Sequence, residues 1–146
     1  MALSVVVDYS SMIVHLSCSD IVAAQELMDY EREKVGEDYQ GFHCFADFRE
    51  CLLDVEYSEL LVLAVHAGSA ATSPTYGART AILVADRMQA EMMEFYREAH
   101  HEVCDPRVRE IAIFRDMEAA NAWVMNRSPV QLTLVPMLAK GMAQSQ

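Results

Sequence analysis

Twice in the second half of the chain, a short aliphatic run stops just before an aspartate and an amphipathic segment begins at once. RTAILVA at 79–85 leads into Asp86, and REIAIF at 109–114 leads, through Arg115, into Asp116. β-branched and aliphatic runs of this length are strands, and an aspartate whose carboxylate accepts an amide N–H three residues on is a helix N-cap. A strand that passes directly into a helix must cross over before the next strand starts, so repeated strand–helix units build a parallel sheet covered by helices. After Asp86, Met88, Met92, Phe95 and Ala99 recur at steps of four, three and four, which is the spacing of one helical face. After Asp116, Met117, Ala120 and Val124 form a second such stripe with Trp123 beside it, and Trp123 is expected to anchor the core.

The first half adds the rest of the sheet. LSVVV at 3–7 and the run 11–16, separated by Asp8, Tyr9 and Ser10, predict a β-hairpin. Ser19 and Asp20 then read as the cap of a helix whose inward residues are Ile21, Ala24, Met28 and Val35 and which ends near Gly36. FHCFADF at 42–48 predicts a strand, followed by a loop. Residues 58–71, SELLVLAVHAGSAA, fit a helix or a buried strand by periodicity; Ser58 as cap, Glu59 in the first turn and the Leu and Ala content favour the helix. TSPTYG at 72–77 has loop punctuation. The order is β-β-α-β-α-β-α-β-α: an α/β fold with a mixed, mostly parallel five-stranded sheet, an N-terminal β-hairpin and about four helices. One domain spans 1–126, and 127–146 is a C-terminal extension.

Composition narrows the function. Eleven Lys and Arg against 22 Asp and Glu leave a net charge of -11, which repels nucleic acid and anionic lipid surfaces wherever no basic patch intervenes. No basic run is present; Lys34 and Lys140 are the only lysines. With 53% hydrophobic residues the chain folds, and no apolar run approaches bilayer length. A soluble, cytoplasmic protein is expected. Cys18, Cys44, Cys51 and Cys104 form no C-x-x-C pair, which fits buried thiols better than disulfides.

No nucleophile–base arrangement can be read from the dispersed His15, His43, His66, His100 and His101, and the β-α turns lack the glycines of a phosphate cradle. His100, His101 and Cys104, supplemented by His43 and Cys44, are the sharpest metal candidates, but structural zinc sites normally use closely paired ligands. No catalytic residue, metal or cofactor is therefore expected. Ten methionines, with Met88, Met92 and Met93 on one helix, suit either core packing or an adaptable apolar pocket.

Three stretches resemble one family: ARTAILVAD at 78–86, AEMMEFYREAH at 90–100, and IAIFRDMEAANAWV at 111–124. They are similar to the SpoIIAA-like family, small bacterial proteins related to STAS domains and to the lipid-binding SEC14 domains. With its looser N-terminal half, the resemblance covers about residues 3–125 and implies the fold described above. In the STAS anti-sigma factor antagonists a strand ends at Asp, followed by a phosphorylatable Ser and a Gly at a helix start. The matching stretch here is Asp47, Phe48, Arg49, Glu50, which keeps the Asp and lacks the Ser and Gly.

The resulting expectation is a non-enzymatic regulatory or protein-interaction module. The alternative is a carrier or sensor of a small apolar, lipid-like ligand, with a pocket formed by Leu61, Val65, Tyr76, Met88, Met92 and Tyr96 between the 58–71 and 88–101 helices. SELLVLAVHAG is apolar nearly all the way round, more than one sheet-facing stripe requires, so a homodimer is expected in which this helix or the extension covers apolar surface. In the extension Val130, Leu132 and Leu134 alternate with Gln131 and Thr133 between Pro129 and Pro136, the pattern of a docked extended segment.

Overall fold

The computed structural model describes residues 2–36, 41–70 and 77–126. Strands β1 (Leu3–Asp8), β2 (Ile13–Ala23), β3 (His43–Asp54), β4 (Ala78–Leu83) and β5 (Arg109–Phe114) form one sheet in the order β1-β2-β3-β4-β5. β1 pairs antiparallel with β2, and every later pair is parallel. Four helices follow in the expected places: α1 (Ala24–Gly36), α2 (Tyr57–Ala70), α3 (Arg87–His101) and α4 (Met117–Val124). The mixed sheet, the hairpin and the choice of helix for 58–71 agree with the sequence reading. Among the described residues, no helix is long and apolar enough to cross a membrane.

Helices α3 and α4 begin as their sequences dictate. The Asp86 carboxylate accepts the Gln89 N–H at 2.9 Å, and that of Asp116 accepts the Ala119 N–H at 2.8 Å. The Gln89 side chain turns inward and ties this corner together: its amide donates to the carbonyls of Phe48 at 3.0 Å and Cys51 at 2.9 Å, while its oxygen accepts the Ala85 N–H at 2.8 Å.

Local signals mislead at the ends of β2 and β3. Ser19 and Asp20 do not cap a helix; they lie inside β2, where Ser19–Ala23 pairs with Glu50–Asp54, so the stretch after residue 48 is strand rather than loop. Parallel pairing over a large sequence separation here overrides short-range cap chemistry. A bulge marks the place: the register shifts between Ser17 and Ser19, and Asp20 has φ 58°, a left-handed conformation that Asp tolerates better than most residues. Ile21 therefore sits exposed on a strand, while α1 buries Leu27 and Tyr30 and packs the expected Ala24 and Met28, partly buried, against the same core. Its first turn is closed by Glu26, whose carboxylate accepts the Ala23 N–H at 3.0 Å. Likewise Glu59 reaches back to the Glu56 N–H at 2.8 Å, and Ser58 lies within α2 rather than capping it.

The two faces of the sheet are covered unequally. Leu16, Val22, Phe48 and Ile82 point to the inner face and pack against Leu27, Leu60, Leu63, Met92 and Met93 of α1, α2 and α3. The outer face carries a smaller cluster in which Ile13, Phe45, Ala81 and Leu83 meet Ala120 and Val124 of α4. Trp123 belongs to this smaller cluster and is only partly buried, with its ring 5.5 Å from Phe114 and the Arg79 guanidinium 4.5 Å above it. Met117, expected to face inward, lies at the exposed start of α4.

Candidate functional site

The residues expected to form a pocket divide among separate environments. Leu61 and Val65 lie on the outward side of α2 with Val62, His66 and Ser69, lining an open groove of about 690 Å³. Met92 is buried in the core, Tyr96 lines a small interlayer cavity, and Met88, with 69% of its surface exposed, faces solvent near the start of α3. Tyr76 falls outside the described residues. The structure thus joins Leu61 to Val65 and leaves Met88, Met92 and Tyr96 apart from them.

The α2 groove follows from the helix's composition. Leu60, Leu63 and Ala64 are buried, satisfying the core, while Leu61, Val62 and Val65 expose 46%, 57% and 39% of their surfaces. Among the described residues, no Asp, Glu, Lys or Arg lines this groove, although Val62 also borders a neighbouring groove that Arg32 and Glu59 line. On a chain of net charge -11, an uncharged aliphatic strip is where a partner can dock without desolvating a carboxylate. α2 is held in place by a close crossing: a Cβ at Gly68 would collide with the Val103 side chain and lie 3.2 Å from the His100 carbonyl oxygen.

The interlayer cavity is about 60 Å³. Its apolar wall includes Leu16, Leu27, Phe48, Ile82 and Met93; Tyr30, Glu31, Cys44, Thr80 and Tyr96 supply polar atoms, with Glu31 the charged one. The Tyr30 hydroxyl lies 3.8 Å from Cys44 Sγ, and buried Arg109 donates to Thr80 Oγ1 and to the Phe42 carbonyl, each at 2.8 Å. Burial pushes the Tyr30 and Tyr96 phenols well above their ordinary values, leaving both protonated. Sequence reasoning missed Tyr30, Thr80 and Arg109 because they meet only when β4 pairs with β5 and α1 packs against the sheet.

Cys18, Cys51 and Cys104 are poorly suited to nucleophilic chemistry. Burial raises Cys18 to about 12, with the nearby Cys51 and Asp47 adding to the effect; burial also raises Cys51 to about 11 and lifts Cys104. Such groups are thiols rather than nucleophilic thiolates at neutral pH. His43 Nδ1 accepts the Arg79 backbone N–H at 3.1 Å. That bond requires an unprotonated Nδ1, so the site favours the neutral ring protonated at Nε2. Consecutive on β3, His43 and Cys44 point to opposite faces of the sheet. Among the described residues, no group of three or more His, Cys, Asp and Glu side chains is placed to hold a metal ion.

Asp47 is engaged in a local clamp. It accepts hydrogen bonds from Arg49 Nε at 3.0 Å, Nη2 at 2.9 Å and the backbone N–H at 3.0 Å. Burial alone would raise the carboxyl pKa; the Arg49 hydrogen bonds outweigh it and lower it. Residues 47–50 lie inside β3 at the bulge, so the strand does not end at Asp47 and no helix starts there.

No protein-family model matches the chain, and no curated protein does. Its structure is similar to that of an uncharacterized protein of the DUF3478 family from Shewanella loihica PV-4, described as having a SpoIIAA-like fold. The alignment covers 84% of this chain and 92% of that one, with a TM-score of 0.51 and 14% sequence identity. This chain has the SpoIIAA-like fold. At that identity the likeness extends to architecture alone. Within the SpoIIAA-like frame, the aliphatic α2 groove and the small interlayer cavity are two features among the described residues that a partner or ligand can use.

Proposed function

We propose that this SpoIIAA-like domain is a non-enzymatic regulatory module of the cytoplasm that acts by binding another protein through the outward side of α2. The observation that carries this reading is the aliphatic strip Leu61, Val62 and Val65, exposed beside a core that α2 already completes with Leu60, Leu63 and Ala64. An amphipathic helix or an apolar loop of a partner fits such a strip, with anchors spaced along one face. The raised thiols and the engaged Asp47 support a binding role over a catalytic one.

A second reading, a carrier of a small apolar ligand, is favoured by the interlayer cavity, whose lining combines Tyr30, Thr80 and Tyr96 with aliphatic side chains. At about 60 Å³ it holds water-sized guests, so an acyl chain enters only if α2 and α3 part and Leu61, Val65, Tyr76, Met88, Met92 and Tyr96 rearrange around it. Native mass spectrometry of the full chain purified from cells separates the two. The module predicts the mass of the protein, alone or in stoichiometric protein complexes, with no small molecule attached. A retained fatty acid or similar mass in most molecules contradicts the module and establishes the carrier.

A further inference from the structure

We propose that the open edge of β1 takes up an extended strand from a second copy of this chain, and that the strand is residues 130–135. Among the described residues β1 is the last strand on its side of the sheet and pairs with β2 alone, without a bulge. Its sequence LSVVVD carries none of the lysines or prolines that usually blunt such edges, and Val5 and Val6 are exposed. Beside it, between β1 and α1, runs a groove of about 590 Å³ whose floor includes Leu3, Val5 and Tyr30 and whose rim carries three carboxylates, Glu26, Asp29 and Glu33, against one cation, Arg32, which lies 3.4 Å from Asp29 and leaves the rim net acidic. A strand added next to β1 would place alternate side chains in this groove and its main chain against the free edge.

The chain contains a segment with the matching chemistry. Val130, Leu132 and Leu134 alternate with polar residues, and all 22 acidic residues lie before residue 127, whereas Arg127 and Lys140 flank the segment. Apolar residues on one side suit the groove, and the basic flanks suit its rim. The segment's own domain offers it neither edge directly. α4 ends over β4, where the Arg79 side chain donates to the Trp123 carbonyl, while Ala120 and Val124 also meet Ile13 and Phe45 of β2 and β3; from β4 to a position beyond β1 is about 19 Å at the usual strand spacing, and the stretch from Asn126 to Val130 spans at most about 14 Å. At the β5 edge, a parallel strand reached through α4 on the outer face would make a left-handed crossover, because α3 joins β4 to β5 on the opposite face. A second copy removes both obstacles.

The test uses the full chain throughout. Light scattering at micromolar concentration should give twice the 16.4 kDa chain mass, and hydrogen exchange should show β1 amides protected. Replacing Leu132 and Leu134 together by Lys should yield a 16.4 kDa species with β1 exchange at least tenfold faster and an unchanged circular dichroism spectrum. Charge reversal at the exposed Asp29 and Glu33, each to Lys, should weaken the dimer at least tenfold. A wild-type chain that is monomeric at all these concentrations overturns the proposal, as does a dimer indifferent to the Leu132 and Leu134 changes. Protected β1 amides in a monomer overturn the second copy as occupant. Val62→Glu with Val65→Glu should leave the dimer intact, so a failure here and a failure of the α2 reading are separate results.

Discussion

Helices α2 and α3 lie against each other with 14 and 15 residues, but their sequences are used differently. α3 has a side-chain cap at Asp86, charged residues along its solvent side and buried Met92 and Met93 on the other. Apart from the exposed Met88, its apolar side chains are used by the core. α2 buries Leu60, Leu63 and Ala64 as firmly, then repeats the aliphatic pattern at Leu61, Val62 and Val65 where nothing in the domain covers them among the described residues. Side chains that the fold does not require, on a helix fixed by the close Gly68 crossing, point to interaction outside the domain.

The contrast within α2 is sharpest between adjacent leucines. Leu60→Ala should destabilise by about 2–5 kcal/mol because it empties a fully packed site, whereas Leu61→Ala should stay within about 0.5 kcal/mol; urea melts of the two variants measure the difference. Next in size is the crossing itself. Gly68→Val forces new atoms against Val103 and the His100 carbonyl and should cost about 1–3 kcal/mol, read in the same melts. On α3, Asp86→Ala removes the bond to the Gln89 N–H and should cost about 1 kcal/mol, visible as a lower denaturation midpoint.

A smaller effect comes from the inner-face thiols. Cys18 and Cys51 are raised from an ordinary 9.0 to about 12 and about 11. A folded pKa above the unfolded one gives a stabilisation that is complete below the unfolded value and is lost as pH rises through 9 toward the folded values. Melts at pH 8 and pH 10.5 should therefore show a falling midpoint, and the fall should be shallower in a Cys18→Ala chain. An equal slope in that variant would assign the alkaline loss to other groups.

The same contrast shows what the sequence made legible. Strand runs followed at once by Asp86 and Asp116 fixed α3, α4 and the parallel order, because cap, stripe and strand agree locally there. The excess apolar character of α2 was equally readable, since it needs only helical spacing. What failed depends on distant pairing: Ser19 and Asp20 have cap chemistry, yet Glu50–Asp54 recruits that stretch into β2. The pocket grouping failed for a related reason. Helical spacing placed Met88 with Met92, but the domain ends near the start of α3 and leaves Met88 in solvent. Tyr30, Thr80 and Arg109 come from three separate elements, so no local pattern in the chain announces their meeting. The extension at 127–146, including the strand pattern at 130–135, lies outside the described residues.

The most direct test of the account is the paired behaviour of a full chain carrying Val62→Glu and Val65→Glu. Both side chains are already exposed, so the stability should match wild type to within about 0.5 kcal/mol, while a stoichiometric complex with a protein other than a second copy of this chain, seen by native mass spectrometry of the wild type, should disappear. A chain that keeps its partner with both glutamates in place, or that loses its stability along with it, contradicts the assignment of the outward side of α2 to binding.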